Sequence, residues 1–275
     1  MMRSWLLVPA NDAEMLRQAL TSAADVLVID LVTVPLSLKE QARQEAGAFL
    51  RERGQRRCFV LAHPHDTGLL DADIGTALGG RADGILLSGV RAAADLQRLD
   101  VMLSAREAIM GIAAGSTRIA ALSGDNPAGV MSSGEAMATA SPRLDALCWS
   151  AARLAAAIGA ADPDEAGSTA RAALLFAAAT AGIAAIDTDR ETADAETFQA
   201  ARRQGFAGCL TRALPQLSAI NRAFTPDAEE IAMAKQILAA FSSCDGKSAF
   251  LADGHPLREA DLIRARRILA SAGKA

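Results

Sequence analysis

The sequence predicts a single (β/α)8 TIM barrel of the α/β class, with a C-terminal helical extension. Three observations predict it. Short apolar runs alternate with amphipathic helical patterns along the chain. Eight such runs fall within roughly 240 residues, the spacing of a (β/α)8 chain. Hydrophobic residues make up 51% of the chain and charged residues 22%, which supplies a large core and excludes disorder. A doubly wound open sheet is the competing architecture.

The strand candidates are Trp5–Val8, Val26–Asp30, Cys58–Leu61, Gly84–Leu87, Ala108–Ile112, Ala146–Trp149, Ile183–Ile186 and Gly208–Thr211. Each is brief and apolar, as parallel strands covered on both faces should be. Helical patterns lie over Asp12–Ser22, Leu38–Arg53, Ala92–Leu103, Glu165–Ala181, Glu191–Gln204 and Pro226–Phe241. Asn11 or Asp12 supplies an N-cap for the first. The stretch Gly111–Arg143 is rich in Ala, Ser, Gly and Thr and contains the turn signal Ser123-Gly124-Asp125-Asn126-Pro127. It is expected to be a loop with one or two helices. The barrel is expected over 1–241. Residues 242–275 read as an appended loop, with Asp245-Gly246 and Asp253-Gly254, and a last helix over Leu257–Ala270.

Composition excludes several functions. The net charge is −4, against a nucleic-acid binder. No apolar run reaches the roughly 18 residues of a membrane span. The apolar stretch ending at Pro9 is too short for a secretory signal. Four cysteines without a CxxC pair argue against a disulfide framework or zinc knuckle and fit a reducing cytoplasm. No GxGxxG follows a strand, and neither GxxxxGK[ST] nor GxSxG occurs, which disfavours nucleotide and Ser-His-Asp hydrolysis.

A TIM barrel places chemistry at the C-terminal ends of its strands. That rule selects Asp30 after strand two, as a substrate or metal contact or a backbone cap. It selects His63 and His65, which with Asp66 offer metal ligands or an acid–base group, or only a polar loop. It selects Asp187, Asp189 and Arg190 after strand seven, where carboxylates and an arginine bind an anion or pair with one another. Arg3, Arg43 and Arg212 are candidates for holding carboxylate or phosphate groups. Arg212 is the best placed, because most of the 24 arginines should be solvated.

Several segments in order resemble the HpcH/HpaI aldolase/citrate lyase family, in particular its citrate lyase beta-subunit-like branch. Arg3-Ser4-Trp5-Leu6-Leu7-Val8-Pro9 is similar to the family's RSxLFVPG opening. Ala24-Asp25-Val26-Leu27-Val28-Ile29-Asp30-Leu31 is similar to its ADxxIxDLED. Lys39 and Arg43 match a following KxxxR, and His63-Pro64-His65-Asp66-Thr67 an NPxxT loop. Further matches are Ser141–Leu147, Gly205–Gly208, Asn221–Pro226 and Arg264–Leu269. Together they span essentially the whole chain.

The resemblance implies a trimeric or hexameric TIM barrel with a helical extension. It implies cleavage or formation of a carbon–carbon bond in a 3-hydroxyacyl-CoA-type thioester, with an acyl-CoA or small carboxylic acid as ligand. In that family Mg²⁺ stabilises the enolate. The family's ligands are a Glu after strand five and an Asp after strand six, and an arginine on strand three helps bind the acyl carboxylate. Here the Glu and Asp of DLED fall on Val32 and Thr33, and the strand-three arginine on Leu61. The strand-five Glu falls on Ala114, or on Ala113 if the register slips. The strand-six Glu-Asp falls on Ala152 and Arg153, and a His-Pro after strand eight on Ala213-Leu214. Alanines and an arginine cannot supply the hard oxygen ligands Mg²⁺ prefers.

Two functional expectations follow. One is a divergent carbon–carbon lyase or aldolase with a rebuilt, Mg-independent site. In it His63 or Asp187 is the acid–base group, and Arg3, Asp30, Lys39, Arg43 and Arg212 serve the substrate. The other is a catalytically silent paralogue, a pseudoenzyme acting as a ligand-binding or regulatory subunit. Both are expected in the cytoplasm as homo-oligomers or alongside an active relative, without nucleic acid or membrane.

Overall fold

The structure, a computed structural model, describes residues 2–188, 193–243, 249–251 and 254–272, and within these not the side chains of 163–166. Residues 2–221 form one compact unit and residues from 222 onward a second.

The first unit is a closed parallel barrel. Its strands are β1 (Ser4–Pro9), β2 (Val26–Asp30), β3 (Arg57–Ala62), β4 (Gly84–Leu87), β5 (Arg118–Gly124), β6 (Leu144–Trp149), β7 (Ala184–Thr188) and β8 (Gly208–Thr211). Each strand pairs with the next, and β8 returns to β1 through Ser4 and Cys209. Around it lie α1 (Ala13–Thr21), α2 (Lys39–Glu52), α3 (Leu70–Gly79), α4 (Ala93–Met110), α5 (Pro127–Ser132), α6 (Glu135–Ala138), α7 (Ala151–Ile158), α8 (Pro163–Ala181) and α9 (Ala195–Gln204), and α10 (Leu217–Phe224) runs across the division between the two units. Asp12 caps α1 by accepting the Met15 N–H, the role the sequence suggested. The second unit holds α11 (Ala228–Ser242) and α12 (Glu259–Ala272), which pack on each other, and a bridge between Phe250 and Pro256. Asp189, Arg190, Asp245, Gly246 and Asp253 lie outside the described residues. No described helix is long and apolar enough to cross a membrane.

The barrel interior is filled by alternate residues, among them Trp5, Val28, Phe59, Leu86, Cys148 and Ile186. Trp5 and Phe59 meet there with ring centroids 5.1 Å apart. The intervening residues face the helices. Trp149 is one of them, and its ring lies where a side chain on Gly167 of α8 would start: a Cβ there would sit 2.4 Å away. Only glycine lets the helix approach so closely.

Strand five is not where the apolar pattern put it. Ala108–Ile112 is the last turn of α4 and its cap, with Gly111 at φ +63°. Ile109 is 78% exposed there, so the run is surface helix. The strand is Arg118–Gly124, inside the stretch expected to be loop and helices. Its neighbourhood is stapled by a buried ion pair. Arg143 donates from Nη1 and Nη2 to the two Glu107 oxygens, both at 2.8 Å, and the Gly115 and Thr117 N–H groups donate to the same carboxylate. These bonds hold the Glu107 carboxyl down to about 2, although burial alone would raise it.

Candidate functional site

The C-terminal ends of the strands carry two polar clusters and a groove. The first cluster joins β2 to β8. Asp30 ends β2, fully buried, and accepts from the Val32 N–H at 2.8 Å, the Thr33 N–H at 3.0 Å and the Thr33 hydroxyl at 2.8 Å. Its second oxygen also accepts from Arg212 Nη2 at 3.2 Å. Asp30 is thus both the backbone cap and the partner of a half-exposed arginine.

The second cluster lies in the wall between β3 and helices α2 and α3. Lys39 Nζ donates to the carbonyls of Leu31 at 2.6 Å and Val32 at 3.0 Å and lies 2.7 Å from His63 Nε2. His63 Nδ1 is 2.6 Å from Asp73 Oδ2, and Arg43 Nε donates to Asp73 Oδ1 at 2.9 Å. All four side chains are largely enclosed. Burial holds the Lys39 ammonium below the ordinary lysine range, while the charges of Asp73 and Asp30 act to keep it protonated. The geometry fits a neutral His63 that donates from Nδ1 to Asp73 and accepts from Lys39 at Nε2.

The groove opens beside these clusters, with a volume of about 500 Å³. Val32, Gly89, Arg91, Asp125, Asn126 and Arg153 line it, with Ala156 and Ala157. Asp125 follows β5 directly and is nearly buried. It accepts from the Gly89 N–H at 3.0 Å and from Asn126 Nδ2 at 2.8 Å. Arg153 Nη1 stands 3.7 Å from Asp125 Oδ2. Burial pushes the Asp125 carboxyl up, against the pull of those hydrogen bonds and of Arg153. Gly89 is in the left-handed region at φ +63°, which turns its N–H toward Asp125.

The residues singled out in the sequence divide. Asp30 and Arg212 meet, and Lys39, Arg43 and His63 share one network through Asp73. Arg3 lies elsewhere. It precedes β1, at the N-terminal end of the barrel, and pairs with Asp25 through two 2.8 Å bonds. Despite burial, that pairing holds the Asp25 carboxyl below its ordinary range. Asp187 follows the inward-facing Ile186, so it faces the helices. Arg171 of α8 reaches it at 2.6 and 2.5 Å, and Trp149 Nε1 at 2.6 Å. His65 and Asp66 turn away from His63, to the Asp95 carbonyl and to Arg91. Among the described residues no group of three His, Cys, Asp or Glu side chains could hold a metal ion.

Ala113 and Ala114 are not at the mouth. They sit in the turn before β5, at the opposite end of the strand, because β5 starts at Arg118. The residues that end β5 are Gly124 and Asp125. This register leaves one carboxylate at the end of strand five and Arg153 just past strand six. Mg²⁺ does not fit that pair. The single carboxylate already accepts two hydrogen bonds and faces a guanidinium.

Sequence comparison identifies the family. The profile of the HpcH/HpaI aldolase/citrate lyase family matches residues 3–211. The chain belongs to this family. A (3S)-malyl-CoA thioesterase of Cereibacter sphaeroides is 29% identical across 98% of this chain and 94% of its own. The citrate lyase subunit beta of Leuconostoc mesenteroides subsp. cremoris is 27% identical across 97% of this chain and 92% of its own. Among solved structures, RipC from Yersinia pestis is 33% identical, with a TM-score of 0.67 over 84% of this chain and 98% of that one. A citrate lyase from Burkholderia xenovorans shares the fold, with a TM-score of 0.82 at 19% identity over 100% of this chain and 92% of that one.

Asp73 and Asp125 were missed in the sequence. Asp73 had a signal: it lies on the α3 face of Leu70, Ile74 and Ala77, all buried, so a carboxylate there must find partners. Asp125 was hidden by the misplacement of strand five.

Proposed function

We propose that this chain makes or breaks a carbon–carbon bond in a 3-hydroxyacyl-CoA-type thioester, without a divalent cation. The observation that carries the reading is the Asp125–Arg153 pair at the ends of β5 and β6, in a family whose named members include a malyl-CoA thioesterase, a malyl-CoA lyase and a citrate lyase subunit. Cleavage needs a base to take the proton of the 3-hydroxyl group. The C2–C3 bond then breaks, the hydroxyl carbon leaves as a carbonyl, and the electron pair passes to the thioester enolate. The enolate takes a proton at C2. Asp125 lines the groove, and burial raises its affinity for a proton, so it suits both transfers. The enolate oxygen needs positive charge, which the arginines of the mouth supply. Arg212, half exposed and steadied by Asp30, suits the substrate carboxylate. His63 acts through Lys39 and fixes the wall rather than touching substrate.

A second reading has its own observation. Lys39, His63, Asp73 and Arg43 spend their hydrogen bonds on one another and on nearby backbone, and Asp30 spends its own on backbone, Thr33 and Arg212, which favours a silent paralogue that binds ligand without turnover.

The test is calorimetric titration with acetyl-CoA in EDTA and in Mg²⁺, followed by incubation with 3-hydroxyacyl-CoA thioesters. Carbonyl product is trapped with phenylhydrazine, and free thiol is measured in parallel. Binding indifferent to Mg²⁺ with carbonyl release supports the lyase. Free thiol without carbonyl product identifies hydrolysis instead. Binding that Mg²⁺ strengthens overturns the metal-free site, and binding without any product leaves the silent paralogue.

A further inference from the structure

The charged side chains of the mouth differ in how fully they are engaged. Asp30, Lys39, His63, Asp73 and Arg43 are each hydrogen-bonded. Arg91 donates to Asp66 at 2.8 Å. The Arg153 guanidinium, among the described residues, makes one ion pair and no hydrogen bond: it stands 3.7 Å from Asp125, longer than a hydrogen bond. A guanidinium carries five N–H donors in a planar fork. Those of Arg153 are spent on no protein acceptor, and the side chain is only 29% exposed. Of the other residues lining the groove besides Asp125, only Asn126 carries a side-chain acceptor, and its Oδ1 already accepts from the Gly129 N–H. Arg153 is also the third residue of α7, whose first turn is capped by Ser150, so its charge adds to the positive end of that helix.

We propose that Arg153 is the resident cation of the groove and binds an anionic oxygen of the ligand, a carboxylate or enolate, directly and without a metal ion. The inference rests on the lyase reading for its reaction but not for its binding. Asp125 holds the guanidinium in place by charge while leaving its hydrogen-bond donors to the ligand. A carboxylate ligand fits the fork with two parallel N–H···O bonds. Its apolar part would lie on Ala156, Ala157 and Val32.

The experiment titrates the intact chain with malonate and with oxaloacetate in EDTA, using the wild type, Arg153→Gln and Arg153→Lys. Thermal melts verify that each variant is folded. The wild type should bind at least one of the two acids in EDTA, with no gain from Mg²⁺. Arg153→Gln should weaken binding about tenfold or more, the worth of a charge-assisted hydrogen bond pair. Arg153→Lys should recover part of the loss, because it keeps the charge and not the fork. Equal binding by wild type and Arg153→Gln overturns the proposal. So does a wild type that binds neither acid, or that needs Mg²⁺ to do so. Binding through Arg153 with no thioester cleaved keeps this site and removes the lyase reading. Carbonyl release that survives Arg153→Gln does the reverse.

Discussion

His63 and Asp73 are joined twice: the His63 backbone N–H donates to Asp73 Oδ2 at 3.0 Å, and the ring Nδ1 lies 2.6 Å from the same oxygen. Asp73 also holds Arg43. A carboxylate with no exposed surface therefore ties α3 to the end of β3 and to α2. Asp73→Ala leaves the Arg43 charge and the His63 donors without their partner. Breaking a buried pair in this way costs about 3–5 kcal/mol. At two to four degrees per kcal/mol for a barrel of this size, the melting temperature should fall by roughly 10 °C. Differential scanning calorimetry reads the shift. A change within about 2 °C would mean the cluster is not a structural tie.

The Arg143–Glu107 pair predicts how the fold responds to acid. The ordinary Glu107 carboxyl would titrate near 4.5, and the folded one titrates at about 2. Between those values the unfolded chain binds more protons than the folded one, so stability falls as the pH falls. The contribution is complete above the unfolded value and gone below the folded one. Glu107→Gln removes it at every pH, at a cost of about 3 kcal/mol near neutrality. The gap between wild type and variant should narrow as the pH drops from 4.5 toward 2. Urea midpoints across that range measure it, and a gap that widens in acid would refute the assignment.

Gly89 links backbone conformation to the groove. Its φ is +63°, and a Cβ would lie 2.9 Å from Pro64 Cβ. Gly89→Ala should cost about 1–2 kcal/mol from the left-handed backbone alone. The strain also pulls its N–H from Asp125, which then loses one of its two donors. Carboxylate affinity in EDTA should fall in this variant although the side chain added is only a methyl group. Unchanged affinity together with a lowered melting temperature would separate the loop from the groove.

The sequence made most of the barrel legible, because parallel strands buried on both faces leave continuous apolar runs. Strand five escaped for a physical reason. Arg118–Gly124 reads Arg-Ile-Ala-Ala-Leu-Ser-Gly, low in the β-branched and aromatic residues that mark a strand. The exposed Ala108-Ile109-Met110-Gly111-Ile112 imitated one. That single slip moved the end of strand five from Asp125 to the Ala113-Ala114 turn and hid the groove's carboxylate. Asp30, Lys39, His63 and Arg212 were visible because they follow strands that were placed correctly. Their partners were not, since the Lys39–His63–Asp73–Arg43 network joins residues up to 34 positions apart and no local pattern encodes such a closure.

Asp187 was legible as a charged residue ending a strand, but its direction was not. Period two along β7 puts Ile186 in the interior and Asp187 among the helices. There it neutralises Arg171, which stacks over the rings of Trp149 and Phe206 at 5.7 and 4.7 Å. Burial in this packing pushes its carboxyl up, against the pull of Arg171 and Trp149. Asp187→Asn should therefore destabilise the fold by about 3 kcal/mol, because it leaves Arg171 buried beside a neutral amide. The folded fraction should keep kcat and KM within about twofold of the wild type, since an outward-facing residue touches no substrate. Single-turnover and steady-state assays below the melting transition make the comparison. A large loss of kcat at unchanged melting temperature would return Asp187 to the chemistry, and would require the substrate to reach between α8 and the barrel wall.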